Sequence, residues 1–204
     1  GTIRKKVMGL EDRFPTGYEL DEMKLMVQEA MEDGALGLST GLFYVPGSFT
    51  TTNEVIELSK VASKYNGIYI SHMREEAADI LKSINETINI GIAANIPVRI
   101  THHKIIGKEN WGLSTETLRL VDNAIKNGIR VSIDQYPYTA SQTSITALIP
   151  QWAQAGGRKD LLRRIDDPKT RQLLIDGIVD RILFDRGGGH PKNIFISKNT
   201  WDTS

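Results

Sequence analysis

The sequence has no cysteine, so these residues can form neither a disulfide nor a thiolate nucleophile. It also has no apolar run close to the roughly 20 residues of a membrane-spanning helix, and no apolar leader at its start. Its 25 Lys and Arg balance its 25 Asp and Glu, so net charge gives no attraction to nucleic acid or an anionic membrane. We therefore expect a cytoplasmic protein that recognises a small molecule, without nucleic-acid or membrane partners.

The chain contains 204 residues, of which 40% are hydrophobic, enough for one sizeable core. Four short apolar segments recur about every 30 residues, each followed by a loop and a helical pattern, which is the size of a strand plus its return helix. The predicted strands cover 35–39, 68–71, 98–101 and 131–134, and the predicted helices cover 19–33, 51–65, 77–94 and 114–127. This alternation predicts an α/β fold with a parallel sheet. Eight such units need roughly 250 residues, so only half of a barrel is expected here.

The regular repeat stops near residue 149. It is replaced by glycine-rich loops, by helical patterns at 160–165 and 168–182, and by an apolar stretch at 193–197 that could be another strand. We therefore divide the chain into a partial barrel at 1–149 and a small insertion subdomain at 150–204. Within the barrel, Thr51 and Glu54 have the spacing of a capping box, which predicts a helix start.

Two histidines, His72 and His102, close strand-like runs, and each is followed two positions later by a cation, Arg74 or Lys104. Active sites of parallel barrels lie at the carboxyl ends of the strands, where two imidazoles can hold a Lewis-acidic metal. The cations suit a carboxylate or a developing oxyanion. A single histidine at a strand end is more often structural than a ligand, and only the repetition favours a metal site.

The other polar candidates have competing interpretations. His103 is expected on the opposite face from His102, packed in the core, because side chains alternate along a strand. His190, in a glycine loop, is expected to be exposed. Asp134 could be a loop or cap residue. Side chains that could be either packing aromatics or ligand contacts are Tyr44, Tyr136 and Tyr138.

Several segments together resemble the D-aminoacylase (N-acyl-D-amino-acid deacylase) family of the amidohydrolase superfamily. They are GALGLSTGLFY at 34–44, SHMREE at 71–76, ITHHK at 100–104 and DQYPYTA at 134–140, and the opening residues 1–16 add to them. The resemblance covers essentially residues 1–150. It implies part of a TIM-type (β/α)8 barrel, about strands 4 to 7, and a zinc-dependent hydrolase that cleaves the linear, non-peptide amide of N-acyl-D-amino acids.

Carried over to this sequence, the resemblance makes His72 and His102 zinc ligands. It places Tyr44, Arg74, Lys104 and Tyr136 in the substrate pocket, although Tyr138 could take the place of Tyr136. The remaining ligands of the superfamily are expected before Gly1, and the general-base aspartate after Ser204. No catalytic residue is therefore assigned within the chain, and the isolated fragment is expected to be inactive.

Two other functions stay open from the sequence. One is a dihydroorotase-like cyclic amide hydrolase, and the other is a non-catalytic binding or assembly module with structural histidines. We also expect the isolated fragment to self-associate, because an incomplete barrel exposes two sheet edges and an inner face that should be apolar.

Overall fold

The computed structural model describes residues 1–197 of the chain. Four parallel strands form one sheet in chain order. They are β1 (Gly37–Gly41), β2 (Ile68–His72), β3 (Val98–Ile100) and β4 (Val131–Ile133). All four predicted strands are confirmed, and their ends differ from the prediction by one or two residues.

Two helices precede the sheet and three connect its strands. They are α1 (Thr2–Met8), α2 (Gly17–Glu32), α3 (Thr52–Lys64), α4 (Ile80–Ala94) and α5 (Ser114–Lys126). Apolar side chains of α2, α3 and α4 pack in one cluster with Leu38, Tyr69 and Val98 of the strands. A second cluster joins α4 and α5 to Ile100. The helices therefore cover one face of the sheet.

The capping box predicted at Thr51 is half formed. The Thr51 hydroxyl accepts a hydrogen bond from the Glu54 backbone N–H at 3.1 Å, which starts α3. The Glu54 carboxylate does not return a bond to the Thr51 backbone, and its Oε2 accepts from the Arg4 guanidinium at 2.6 Å. A complete box occurs at Thr16 and Glu19, at the start of α2.

The other face of the sheet carries a row of four residues paired in register, Ser39, Ile70, Arg99 and Ser132, which we call the open row. Ser39 and Arg99 are exposed, and Ile70 and Ser132 are half-buried. The Arg99 guanidinium donates to the Ser132 hydroxyl at 3.2 Å. The prediction of an apolar inner face is therefore wrong for this row, because three of its four side chains are polar.

After the sheet come α6 (Gln151–Gln154), α7 (Arg158–Asp166) and α8 (Pro168–Asp180), which runs into a π-helical turn at Arg181–Asp185. The predicted helical runs are confirmed. The strand predicted at 193–197 is not formed: Asn193 ends a short 3₁₀ turn, residues 194–197 pair with none of the four strands, and Phe195 and Ile196 stay exposed. The last residues of the predicted subdomain, 198–204, lie outside the described part, and the domain boundary stays a prediction.

The segment after residue 149 packs back against the loop that follows β1. The Gln151 side-chain amide donates to the Phe43 carbonyl at 3.3 Å. The guanidinium groups of Arg181 and Arg186 lie 5.1 and 4.2 Å from the centre of the Phe43 ring. These contacts bring two cations to the carboxyl end of the sheet. In residues 1–197, no helix combines the length and hydropathy needed to cross a bilayer.

Candidate metal centre

His72 is the last residue of β2, and alternation from Ile70 places its side chain on the face of the open row. Continuing the pairing of β2 with β3 would put Thr101, not His102, beside it. His102 has a φ of 44°, a left-handed backbone conformation that interrupts the alternation. Its backbone N–H donates to the Asp134 carboxylate at 2.6 Å. This local turn brings the His102 ring towards His72.

The two imidazoles meet at the carboxyl ends of neighbouring strands. His72 Nδ1 and His102 Nε2 lie 2.7 Å apart, and the ring centres are 4.5 Å apart. Two nitrogens bound to one tetrahedral zinc at the usual bond length lie about 3.3 Å apart, so the pair fits a zinc ion after opening by about half an ångström. The donor set is the neutral imidazole that zinc prefers. The ligand role predicted for both residues stays a prediction.

The environment of His72 keeps its ring in the metal-binding form. Burial lowers the pKa of His72 to about 4, against the opposing effect of the Glu76 charge. The ring is therefore neutral at neutral pH. His72 Nε2, the nitrogen that faces away from His102, is buried without a hydrogen-bond partner among the described residues.

Glu76 is the residue of the site that sequence reasoning missed. Its side chain is completely buried, and its carboxylate accepts from Lys104 Nζ at 2.6 Å. Burial alone would raise the pKa of Glu76, but the contact with His102 and the charge of Lys104 outweigh it and lower that pKa to about 2. The sequence signal was its place at the end of the SHMREE segment, four positions after His72.

The two predicted cations occupy different places. Lys104 lies in the site, with its Nζ 2.9 Å from His102 Nδ1. Arg74 bonds the Glu86 carboxylate at 2.9 to 3.3 Å and also donates to the carbonyls of Ser48 and Thr50. Arg74 therefore ties the loop after β1 to α4. Its predicted role in the substrate pocket stays a prediction, and its charge is largely committed to Glu86.

The three candidate tyrosines differ in how they lie relative to the two histidines. The Tyr44 ring lies 4.8 Å from the His72 ring, and its hydroxyl is 3.0 Å from Thr143 Oγ1. The Tyr136 ring lies 6.4 Å from the His102 ring, and its hydroxyl is buried with no hydrogen-bond partner in the described part of the chain. Burial raises the pKa of Tyr136, so the hydroxyl keeps its proton. Tyr138 is 74% exposed and has no contact with the histidines comparable to that of Tyr136.

The remaining candidates behave as expected. His103 is buried against α5, with its Nε2 3.1 Å from the Thr117 hydroxyl, so it is a packing residue. His190 is exposed, and its Nδ1 accepts the Lys192 backbone N–H. Asp134 is a loop residue that holds the His102 backbone.

Arg186 and the segment 37–41 were given no role in the sequence analysis. Arg186 is 11% exposed, and its guanidinium lies 4.0 Å from Glu76, although the irregular pattern around it gave no signal. Residues 37–41 have the Gly-x-Ser-x-Gly order of a nucleophile elbow. Ser39 lies within β1 and not at a strand-to-helix turn, so this segment does not form an elbow.

No family model matches the chain. D-aminoacylase of Alcaligenes xylosoxydans xylosoxydans is 42% identical over 144 residues, which are 71% of this chain and 30% of that protein. A structure of N-acyl-D-glutamate deacylase from Bordetella bronchiseptica, complexed with zinc and a phosphonate mimic of the tetrahedral intermediate, aligns at TM-score 0.65 and 36% identity. The alignment covers 67% of this chain and 29% of the N-acyl-D-glutamate deacylase chain.

A second structure, of a D-aminoacylase described as defining a novel subset of amidohydrolases, aligns at TM-score 0.66 and 40% identity. The alignment covers 69% of this chain and 29% of the D-aminoacylase chain. The chain therefore spans about 30% of the length of the curated relative described above. The predicted fold class is confirmed, since the parallel sheet with helices on one face is part of a TIM-type barrel.

Proposed function

Because this chain belongs to the D-aminoacylase family of the amidohydrolase superfamily, we propose that it carries part of the metal site of a zinc-dependent hydrolase. The whole enzyme would cleave the acyl amide of N-acyl-D-amino acids, giving a carboxylate and a free D-amino acid. The observation that carries this proposal is the meeting of His72 Nδ1 and His102 Nε2 at the carboxyl ends of β2 and β3.

His72 and His102 would hold the metal, which when bound supplies the Lewis acidity that activates water and polarises a carbonyl. The unpartnered Tyr136 hydroxyl is a protonated donor that could stabilise the charge developing on the carbonyl oxygen. Tyr44 would form a wall of the pocket beside His72. We assign this pocket to Tyr136 and not to Tyr138, because the Tyr138 side chain is mostly exposed.

The substrate carboxylate requires a cation near the metal. Lys104 lies closest to the histidines, and Arg186 brings a second buried positive charge to Glu76. Arg74 is bonded to Glu86, whereas two cations, Lys104 and Arg186, face the single Glu76 carboxylate, so we propose that this pair supplies the local attraction for an anionic substrate. The remaining ligands and the general base would come from parts of the enzyme outside these 204 residues.

The alternative functions are less well supported. The relatives named above are deacylases of N-acyl-D-amino acids, which does not favour a cyclic amide hydrolase. A non-catalytic module with structural histidines is not favoured either, because these relatives are enzymes. The cytoplasmic location predicted from the sequence stays a prediction, as does a separate subdomain after residue 149.

The test uses the full-length protein that contains this segment and N-acetyl-D-amino acids with apolar and acidic side chains. We expect chelation to abolish hydrolysis and added zinc to restore it. His72→Ala and His102→Ala should each lower the zinc content and reduce kcat/KM by about 1,000-fold or more, because the Lewis acid contributes several kcal/mol. His190→Ala is the matched control, since this histidine is exposed and far from the pair in sequence. Full metal content and turnover in both site variants would refute the proposal.

A further inference from the structure

Two sets of hydrogen bonds hold the backbone around Glu76 in place. Its backbone carbonyl accepts the Ile106 N–H at 2.9 Å, which ties the loop after β2 to the loop after β3. The neighbouring Glu75 carboxylate accepts the backbone N–H groups of Glu76, Ala77 and Asp79 at 2.7 to 2.9 Å. The turn is therefore fixed by its own side chain, and the Glu76 carboxylate points into the interior with no exposed surface.

The Glu76 carboxylate lies beside the outer nitrogen of His102 and farther from that of His72. Its Oε1 lies 3.1 Å from His102 Nδ1, and its Oε2 lies 4.0 Å from His72 Nε2, beyond direct hydrogen-bond distance. Oε2 and His72 Nε2 are both buried without a hydrogen-bond partner among residues 1–197. The nitrogens that face each other are the other two, His72 Nδ1 and His102 Nε2.

This arrangement argues against Glu76 as a third ligand of the same ion. An imidazole that binds metal through one nitrogen carries its proton on the other nitrogen, which donates to a neighbouring acceptor. Glu76 lies at these protonated nitrogens, on the side of each ring away from the meeting point. Its geometry is therefore that of an acceptor behind the ligands.

The contact between Lys104 and His102 depends on which ring nitrogen of His102 carries the proton. An ammonium group only donates, so its Nζ, 2.9 Å from His102 Nδ1, could bond that nitrogen only if Nδ1 carried no proton. The proton would then be on Nε2, which could no longer bind a metal. A carboxylate that accepts from both Nδ1–H and Lys104 removes this conflict, because both donors share Oε1.

We propose that Glu76 is a positioning residue that holds the proton on His102 Nδ1, leaving His102 Nε2 free to bind the metal together with His72 Nδ1. This inference rests on the proposed metal site but assigns a role beyond its two ligands. It makes the carboxylate, and not the adjacent cation, the group that prepares the histidines.

The experiment measures zinc affinity by chelator competition on the metal-free full-length protein. Glu76→Gln should weaken zinc binding about 10–100-fold, because a neutral amide is a weaker acceptor than the carboxylate and has one oxygen for both His102 and Lys104. Lys104→Met should weaken zinc binding less than Glu76→Gln does, because the acceptor beside His102 Nδ1 remains in place. Glu29→Gln, an exposed carboxylate on α2, is the control and should match the unchanged protein.

Each outcome decides a different point. Zinc affinity preserved in Glu76→Gln overturns the inference, as does a loss in Lys104→Met equal to that in Glu76→Gln. If Glu76→Gln does not fold, Glu76→Asp replaces it, since the shorter stem cannot keep its oxygen at the same distance from His102. Unchanged affinity in that variant also overturns the inference. Absence of zinc binding by the unchanged protein would instead refute the proposed function itself.

Discussion

At the scale of single residues, His102 shows how one backbone angle builds the site. A regular strand would have placed Thr101 beside His72, and the left-handed conformation of His102 replaces it with an imidazole. A non-glycine residue in this region is strained and persists only where its surroundings hold it. The Asp134 carboxylate, bonded to the His102 N–H at 2.6 Å, provides that hold.

We expect Asp134→Ala to lower the free energy of unfolding by about 1–3 kcal/mol, the usual effect of losing a hydrogen bond to a charged group. It should also weaken zinc binding, because the His102 ring loses its fixed direction. Asp134→Asn keeps an acceptor oxygen and is the matched control, with a smaller effect on both quantities. Urea unfolding and a zinc titration of the full-length protein check this. An alanine variant equal to the unchanged protein in both measurements would contradict it.

The sequence identified His72, His102 and Lys104 because each follows an apolar run, and a strand end is visible in a sequence. It could not identify Glu76, whose role depends on a loop folding back between two strands. Nor could it find the Glu86 partner of Arg74, because that contact joins a loop to the side of α4. Residues placed by regular structure were predictable, and residues placed by loops were not.

At the scale of secondary-structure elements, α1 is joined to α3 by a buried ion pair. Arg4 and Glu54 side chains are each 2% exposed, and Arg4 also donates to the Arg13 carbonyl at 2.6 Å. The pair directs the Glu54 carboxylate towards α1, and the capping box at Thr51 is only half formed.

Arg4→Met should destabilise the protein by about 3–5 kcal/mol, because it leaves the Glu54 charge buried and unpaired. The double variant Arg4→Met with Glu54→Leu should recover most of that loss, since neither charge is then left alone in the core. Urea unfolding of the two variants measures the difference. If the double variant is no more stable than the single one, the pair does not account for the loss.

The helices of the barrel portion were predictable because a glycine or asparagine follows the end of each of α1 to α5 within two residues. Asn95, with a φ of 50°, ends α4 in the left-handed conformation. The tail was harder, because the apolar stretch after Asn193 has the composition of a strand and lacks a partner strand. Composition indicates what a segment can form, and pairing with a neighbouring strand decides whether it does.

At the scale of the whole molecule, β1 and β4 are the outer strands of the described sheet, and each leaves one edge without a neighbouring strand there. Such edges can pair with another chain. Large apolar side chains, including Leu36 at 87% exposure and Phe14 at 73%, add to this tendency.

We expect the isolated 204-residue polypeptide to associate with itself in a concentration-dependent way, and to show no hydrolysis with saturating zinc and an N-acyl-D-amino acid. Sedimentation or light scattering over a range of concentrations measures the first property, and an amine-release assay measures the second. The full-length protein is the control for both. A well-folded fragment that stays monomeric at every concentration would contradict the first expectation, and turnover by the fragment would contradict the second.

The guanidinium of Arg99 has a consequence for whatever completes the barrel. In the described part of the chain it faces solvent and bonds only the Ser132 hydroxyl. Closing a cylinder over it would strip away its hydration, which costs several kcal/mol for an unpaired ion. The strands opposite must therefore present an anionic side chain to this arginine or leave a water-filled channel beside it. In the first case, opposite charges as well as aliphatic packing would hold the interior of the finished cylinder together.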